Sequence, residues 1–305
     1  MSTSTHTNGG PTTAAEREAD ARSLAAAAPP ERAAAPARRV ISRDRTPIAF
    51  DKIGTGPAVI IVDGALCHRK MGPSSALAEL LAPQFTVFTY DRRGRGESGD
   101  ARMYSIDYEV DDIEALVREA GGTAYISGTS SGAVLALDAA KRLPGIKKVA
   151  LYEAPLIVDD SRPTTEQDWK HIDEALSGGR RSDAIKTFMK SVGVPTLIIT
   201  LMRLLPMWSR LVAVAHTLPY DGAIVAEFER GQPLPEGRWA SVQVPVLVMD
   251  GGKSPEWMRH GNRALANVLP FSEYRTLAGQ THALKAQVHA PNLAEFFRRN
   301  PIVTG

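Results

Sequence analysis

The chain has 305 residues, a net charge of +2 and 43% hydrophobic residues, which suits one large α/β domain that carries an insertion. So balanced a charge, without a basic and aromatic patch, argues against a nucleic-acid partner. Cys67 is the only cysteine, which excludes a disulfide framework and a thiolate metal site. The sequence contains neither an apolar leader nor a run of about eighteen apolar residues, so we expect a cytoplasmic protein without membrane contact.

Three sections of the chain differ in composition and pattern. Residues 1–38 are rich in Ala, Thr, Ser and Pro and lack bulky apolar side chains, so we expect a disordered tail. Strand and helix patterns alternate over residues 39–156 and 241–305, whereas residues 157–240 contain helix patterns only. We therefore expect a core made of the two outer sections, with a helical cap inserted between them.

The predicted core elements alternate between strands and helices. A hairpin at residues 39–52 comes first, and strands follow at residues 58–62, 85–90, 123–126, 148–152, 244–249 and 272–277. Helices are predicted near residues 75–81, 107–120, 132–143, 255–268 and 291–299. This order indicates a mostly parallel sheet covered by helices on both faces, with a site formed by the loops at the carboxyl ends of the strands.

The most informative stretch is the G-x-S-x-G at residues 128–132, which joins a predicted strand to a helix of small residues. A serine at the tip of such a turn is held in a strained backbone conformation that exposes its hydroxyl. The N-terminus of the following helix points at the same place, where negative charge develops in acyl transfer. We predict that Ser130 is a nucleophile; the alternative is a packing turn whose serine only caps the helix.

Seven histidines could supply the base for Ser130. His282 follows the last predicted strand, and the order of an early serine and a late histidine favours it as the base. His68 could line the same site. The others lie in the tail, within helix patterns or before the last helix: His6, His171, His216, His260 and His289.

Two carboxylates could hold the imidazole of His282. Glu153 ends an apolar run, where a partly buried carboxylate needs a partner, and an imidazole N–H is a suitable one. Asp250 ends the strand at residues 244–249, and the loop after it has Ser254 where an acid would be expected. We favour Glu153, since Asp250 stands too early in the loop to reach His282.

An acyl-transfer site also needs two N–H donors for the oxyanion. Ser131, one residue after the nucleophile, would give one, and Ala65, directly after Gly64, would give the other, with Leu66 as a reserve donor.

A second glycine-rich segment, at residues 94–99, matches G-x-G-x-x-G but does not predict a dinucleotide site. Its next helix begins well downstream, and the motif carries bulky charged residues. We expect Asp91, Arg93 and these glycines to brace the loops beside the nucleophile.

Together, DRRGRGES at residues 91–98, GTSSG at residues 128–132 and the late His282 resemble the α/β-hydrolase superfamily over about residues 39–300. The chain looks most like its small-molecule hydrolases with a helical cap, which implies the α/β-hydrolase fold. In the similar haloalkane dehalogenases a glutamate at the position of Glu153 is the triad acid, but their nucleophile is an aspartate. Asp63 and Ser254 depart from the residues that are common in the superfamily.

We therefore expect a serine hydrolase that cleaves an ester, thioester or lactone of a small apolar molecule through an acyl-enzyme, without a metal or cofactor. Ser130, His282 and Glu153 would form its triad. The alternatives are an acyl-transfer cyclase, a carbon–carbon bond hydrolase or lyase, and a ligand-binding pseudo-enzyme in which Ser254 leaves His282 unsupported. Apolar cap residues would line the pocket or pack the cap onto the core: Leu201, Leu204, Leu205, Met207 and Trp208.

Overall fold

The computed structural model describes residues 38–283 and 285–299. The predicted tail lies outside these residues, except for Arg38, which begins the first strand. Eight strands in the described residues form one sheet. They are β1 (Arg38–Ile41), β2 (Pro47–Ile53), β3 (Ala58–Val62), β4 (Thr86–Tyr90), β5 (Ala124–Thr129), β6 (Ile146–Tyr152), β7 (Val246–Gly251) and β8 (Ser272–Leu277).

The sheet is mostly parallel, as the alternation of elements predicts. Its strand order is β1-β2-β4-β3-β5-β6-β7-β8. The predicted hairpin β1–β2 is antiparallel and pairs with the edge of β4, while the six strands from β4 to β8 in this order run parallel. The carboxyl ends of the parallel strands therefore meet along one edge of the sheet, where a site is expected.

Among the described residues, five α-helices alternate with the strands, and five more lie between β6 and β7 in the section predicted as a cap. The first set is α1 (Ser74–Leu81), α2 (Ile106–Glu119), α3 (Ser131–Arg142), α9 (Glu256–Val268) and α10 (Ala286–Arg298). The second set is α4 (Glu166–Ser177), α5 (Arg181–Ser191), α6 (Thr196–Met202), α7 (Pro206–Val214) and α8 (Leu218–Val225).

The two faces of the sheet are covered by different helices, because successive side chains of a strand point to opposite faces. In β3, Ile60 and Val62 join the apolar cluster that contains side chains of α2, α3 and α9. Val59 and Ile61 join the cluster that contains side chains of α1 and α10. The fully apolar strand β3 is thus buried on both faces, as expected for a central parallel strand.

The cap helices have an apolar cluster of their own, which also includes Leu66 from the loop after β3. Trp208 is buried in this cluster. The other four residues, which we expected to line the pocket or to pack the cap onto the core, are exposed to solvent and are not on the wall of the cavity that contains Ser130: Leu201, Leu204, Leu205 and Met207. Both expectations are therefore wrong for them. Leu204 and Leu205 lie in the turn between α6 and α7, and a crowded apolar stretch does not say what such a turn faces.

The last helix begins five residues earlier than the sequence predicts. Proline favours the first turn of a helix, which suggested a start at Pro291, but Pro291 lies inside α10. Ala286, Ala290 and Leu293 are buried on one face of this helix. Packing of that face offsets the one backbone hydrogen bond that the proline cannot donate.

His289 lies on the buried side of α10 and is fully buried. Its ring centroid is 5.1 Å from that of Tyr152, and neither ring nitrogen has a hydrogen-bond partner among the described residues. Burial lowers the pKa of His289 to about 3. The folded protein therefore keeps this imidazole neutral at pH values where an unfolded chain protonates it, near pH 6.5.

We expect His289→Leu to be less sensitive to acid than the wild type. Between the unfolded pKa of about 6.5 and the folded pKa of about 3, the unfolded state binds the extra proton, so stability falls as the pH falls. For each pH unit that the pH falls in this window, the free energy of unfolding of the wild type should decrease by up to about 1.4 kcal/mol more than that of the variant. Urea unfolding at pH 7 and pH 5 measures the free energy of unfolding of both proteins. A difference between wild type and variant that is the same at both pH values would contradict this prediction.

Within the described residues, no single helix has the length and apolar character needed to cross a membrane. One bent helix pair, Thr196–Met202 with Pro206–Phe228, passes the same test of length and composition only when its two parts are taken together.

Candidate active site

Ser130 lies at the turn between β5 and α3, in a backbone conformation that is rare for a residue with a side chain. Its φ is 57° and its ψ is −130°. Such strain costs on the order of 1–3 kcal/mol and persists only where the surroundings enforce it. The Ser130 N–H donates to the Tyr152 carbonyl at 2.9 Å. A Cβ on Gly132 would lie 2.4 Å from the Val62 carbonyl oxygen, so only glycine allows this close packing of the turn.

His282 and Glu153 are joined by a short hydrogen bond. His282 Nδ1 lies 2.7 Å from Glu153 Oε2, and Glu153 is fully buried at the end of β6. The Tyr152 hydroxyl donates to the Thr281 carbonyl at 2.5 Å, which fixes the loop that carries His282. Because Nδ1 is engaged with the carboxylate, the other ring nitrogen, Nε2, is left for a second partner.

Ser254 belongs to the same arrangement, although the sequence suggested only that it replaces an acid. Its hydroxyl donates to Glu153 Oε1, which also accepts the Gly251 N–H at 2.7 Å. Both carboxylate oxygens of Glu153 therefore have partners, as a buried carboxylate requires. This role of Ser254 as a hydrogen-bond donor to the acid was not predicted from the sequence, because residue 254 was considered only as a possible position of the acid itself.

Asp250, the alternative acid, binds a residue other than His282. Its Oδ2 accepts a hydrogen bond from the Tyr274 hydroxyl on the neighbouring strand β8. No hydrogen bond joins Asp250 to His282 among the described residues, and Asp250 is not on the wall of the cavity that contains Ser130.

The other candidate histidines of the described part lie away from this cavity. His68 lines a separate depression with Lys70, Gly94 and Gly96. His260 Nδ1 lies 2.8 Å from Asp159 Oδ2, and His289 is in the core. His171 and His216 are in the cap helices and are not on the wall beside Ser130. His6 lies outside the described residues.

Ala65 and Ser131, the two predicted oxyanion donors, line the cavity together with Ser130 and His282. A Cβ on Gly64 would lie 2.8 Å from the Ser130 Cβ, so the loop after β3 packs directly against the turn at Ser130. Arg95 Nη1 donates to the Gly64 carbonyl at 2.7 Å and so fixes the peptide group whose N–H belongs to Ala65. Leu66, the reserve donor, has a φ of 63° and is buried in the cap cluster.

A second buried carboxylate, Asp221 of α8, binds three groups from the core. Its oxygens accept from Arg92 at 2.7 Å, from Arg95 at 2.6 Å and from the Ser131 hydroxyl at 2.7 Å. Burial alone raises the pKa of Asp221, but the two arginines outweigh it and hold the pKa below its ordinary value. Arg92 also forms a two-point contact with buried Glu109, at 2.7 and 2.6 Å.

The glycine-rich segment at residues 94–99 supports these loops. Asp91 accepts the backbone N–H groups of Arg69 and Glu97, both at 2.8 Å. Arg93 binds Asp112 in helix α2 at 2.7 Å. Arg95, from inside the segment, is the residue that reaches both Gly64 and Asp221.

We expect Asp221→Asn to lower the free energy of unfolding by about 3–5 kcal/mol, because it leaves two buried arginines without their shared anion. The matched control is Asp107→Asn, which removes an exposed carboxylate from its ion pair with Arg142 and should cost less than about 1 kcal/mol. Urea denaturation of both variants makes the comparison, and equal losses would show that the buried network contributes no more than a surface pair.

The cavity beside Ser130 encloses about 80 Å³. Its walls carry the aromatic side chains of Trp169, Phe188 and Trp257, together with polar groups from the cap, Arg162 and Glu229. Among the described residues, no group of three or more His, Cys, Asp or Glu side chains is arranged to hold a metal ion.

Comparison with known proteins agrees with this architecture. A family profile described as "Alpha/beta hydrolase family" matches residues 63–293. An alpha/beta hydrolase from Sphaerobacter thermophilus is 46% identical and has a TM-score of 0.78, with 85% of this chain and 100% of that chain covered. An esterase from Exiguobacterium antarcticum shares the fold, with a TM-score of 0.66 and 18% identity over 86% of this chain and 100% of that one.

Two curated proteins match over shorter stretches. An uncharacterized hydrolase of Bacillus subtilis, YraK, is 31% identical over 143 residues, which cover 46% of this chain and 52% of the relative. Ethanol acetyltransferase 1 of Cyberlindnera fabianii is 30% identical over 170 residues, 48% of each chain. The chain thus spans about half the length of the curated relatives that it matches. The family profile and the Sphaerobacter structure together establish that the chain belongs to the alpha/beta hydrolase family.

Proposed function

We propose that the protein is a serine hydrolase that cleaves an ester, thioester or lactone of a small molecule through an acyl-enzyme. The observation that carries this proposal is the 2.7 Å contact between His282 and the buried carboxylate of Glu153, in the same site as the strained turn of Ser130. A nucleophile, a base and a group that orients the base are the three parts that acyl transfer requires.

In this mechanism, the Ser130 hydroxyl attacks the carbonyl carbon of the substrate while His282 Nε2 takes the hydroxyl proton. Glu153 accepts the Nδ1–H and stabilises the imidazolium that forms. The tetrahedral intermediate collapses as His282 gives the proton to the leaving group. Water, activated by the same imidazole, then releases the acid from Ser130. Ser254 and Gly251 hold Glu153 in position throughout.

The negative charge of the intermediate would lie between the N–H groups of Ala65 and Ser131. Arg95, bound to the Gly64 carbonyl, keeps the first of these N–H groups oriented. The second N–H belongs to Ser131, the first residue of α3, and the N-terminal dipole of this helix favours an anion at the same place. Asp221 contacts both Arg95 and the Ser131 side chain, so one cap residue supports both donors.

The alternative of a ligand-binding pseudo-enzyme depended on His282 having no acid partner. The contact with Glu153 removes that argument. Acyl transfer to an alcohol is a second candidate, since one relative is named an ethanol acetyltransferase. That reaction uses the same acyl-enzyme and differs in whether water or an alcohol accepts the acyl group.

Ser130→Ala should abolish labelling by a fluorophosphonate probe and reduce ester hydrolysis by about a thousandfold or more, because triad residues act as a unit. His282→Ala should cost about as much. Ser131→Ala is the control: it keeps its backbone N–H and should still be labelled, although Asp221 loses one hydrogen bond. Equal losses at residues 130 and 131 would mean that the nucleophile has been misassigned.

Glu153→Gln should lower turnover by at least about a hundredfold with the fold intact, because an amide cannot hold the required tautomer of His282. Asp250→Asn should lower it by less than about tenfold, since Asp250 binds Tyr274 instead. Circular dichroism checks folding, and steady-state kinetics with one activated ester ranks the variants. The reverse ranking would move the acid to Asp250.

A further inference from the structure

Glu229 is a carboxylate on the cavity wall that the proposed mechanism does not use. It follows the cap helices and is only 6% exposed. Its Oε2 accepts hydrogen bonds from the Thr165 hydroxyl and, at 2.8 Å, from Trp169 Nε1. Its Oε1 accepts none from the described residues. Two donors on one oxygen hold the group in a fixed orientation and leave the other oxygen available to a ligand.

Arg162 provides a donor on the same wall. Its guanidinium lies over the Trp257 ring, 4.2 Å from the centroid, and Nη2 donates to the Ser191 carbonyl. Its Nε and Nη1 donate to no described residue. Stacking on an indole fixes the plane of the guanidinium, so its remaining N–H groups are oriented as well.

The two charged groups influence each other without forming an ion pair. Burial raises the pKa of Glu229 and lowers the pKa of Arg162, and each group opposes the shift of the other. No ion pair within 4.0 Å joins them in the described part of the chain. An acceptor and a donor are thus held apart on the wall of one cavity, each with unused hydrogen-bonding capacity.

A neutral group that both donates and accepts hydrogen bonds matches this pair. A hydroxyl or a carboxamide can donate to Glu229 Oε1 and accept from Arg162. An ammonium group would be attracted by Glu229 but repelled by Arg162. A carboxylate would be attracted by Arg162 but repelled by Glu229. A methyl group would desolvate Glu229 Oε1 and the remaining N–H groups of Arg162 without giving them a hydrogen bond, which is costly.

We propose that Glu229 and Arg162 form a subsite for an uncharged polar group of the substrate, so that the enzyme selects small esters that carry a hydroxyl or carboxamide. The kinetic test of this inference rests on the proposed function. Binding of the polar group in the subsite does not depend on the reaction at Ser130.

The test uses matched esters of equal chain length that end in methyl, carboxamide, ammonium or carboxylate, with the end group on the acyl side in one series and on the alcohol side in the other. We expect kcat/KM for the carboxamide to exceed that for each other end by about tenfold or more in one series. Glu229→Gln should abolish this preference, because the new amide places a donor where Oε1 accepted.

Glu227→Gln is the matched control. Glu227 is two residues before Glu229, in the short 3-10 helix Ala226–Phe228, but it pairs with Arg238 at 3.1 Å and is not on the cavity wall, so its substitution should leave the preference unchanged. Equal rates for methyl and carboxamide esters in both series would overturn the subsite. Failure of the proposed function has a different signature, which is no hydrolysis of any ester and no fluorophosphonate labelling of Ser130.

A binding measurement tests the subsite without catalysis. Ethers of the same lengths and end groups cannot be cleaved by acyl transfer, and Trp169 and Trp257 on the wall report binding by fluorescence. The wild type should bind the carboxamide ether about tenfold more tightly than the methyl ether, and Glu229→Gln should not. Equal affinities in the wild type would overturn the proposal even if the variant fails to fold.

Discussion

The arrangement of the site depends on one buried carboxylate. Glu153 is fully buried, and an ionised group in that position is tolerated only when donors surround it. The donors come from two other strand ends: Gly251 at the end of β7 with Ser254 in the loop after it, and His282 in the loop after β8. Satisfying the carboxylate therefore ties together the carboxyl ends of three adjacent strands. The imidazole is held at this junction, on the side of the sheet where the β5 turn presents Ser130.

A second buried carboxylate connects the cap to the other half of the site. Asp221 lies in helix α8, yet its partners Arg92, Arg95 and Ser131 belong to the loop after β4 and to the turn at Ser130. Arg95 extends the contact to the Gly64 carbonyl. The two predicted oxyanion donors thus depend on a residue from a different part of the chain. This makes the cap part of the support of the site as well as a wall of its cavity.

The features that could be predicted from the sequence are those set by local rules. Alternating strand and helix patterns gave the parallel sheet, and the spacing of glycines around Ser130 indicated a strained turn. The contact of Glu153 with His282 could be predicted because a carboxylate at the end of an apolar strand needs a partner nearby. The start of α10 was misjudged because a buried helix face outweighs the positional preference of Pro291.

Contacts between distant residues could not be predicted in the same way. Ser254 is 101 positions from Glu153, and Asp221 is 90 from Ser131, so their pairing depends on how the chain crosses the sheet. Leu204 and its apolar neighbours were misplaced for a related reason, since a short stretch rich in apolar residues does not show what those residues pack against. Single polar residues such as Glu229 carry no pattern at all.

In the proposed mechanism, Ser130 carries the acyl group between the two half-reactions. The direct measurement is mass spectrometry of protein that is mixed with an activated ester, quenched with acid within milliseconds and digested. We expect one added acyl mass, located on Ser130 by fragmentation. An acyl group on Cys67 or on another residue, or turnover of the ester without any acylated serine, would contradict this role of Ser130.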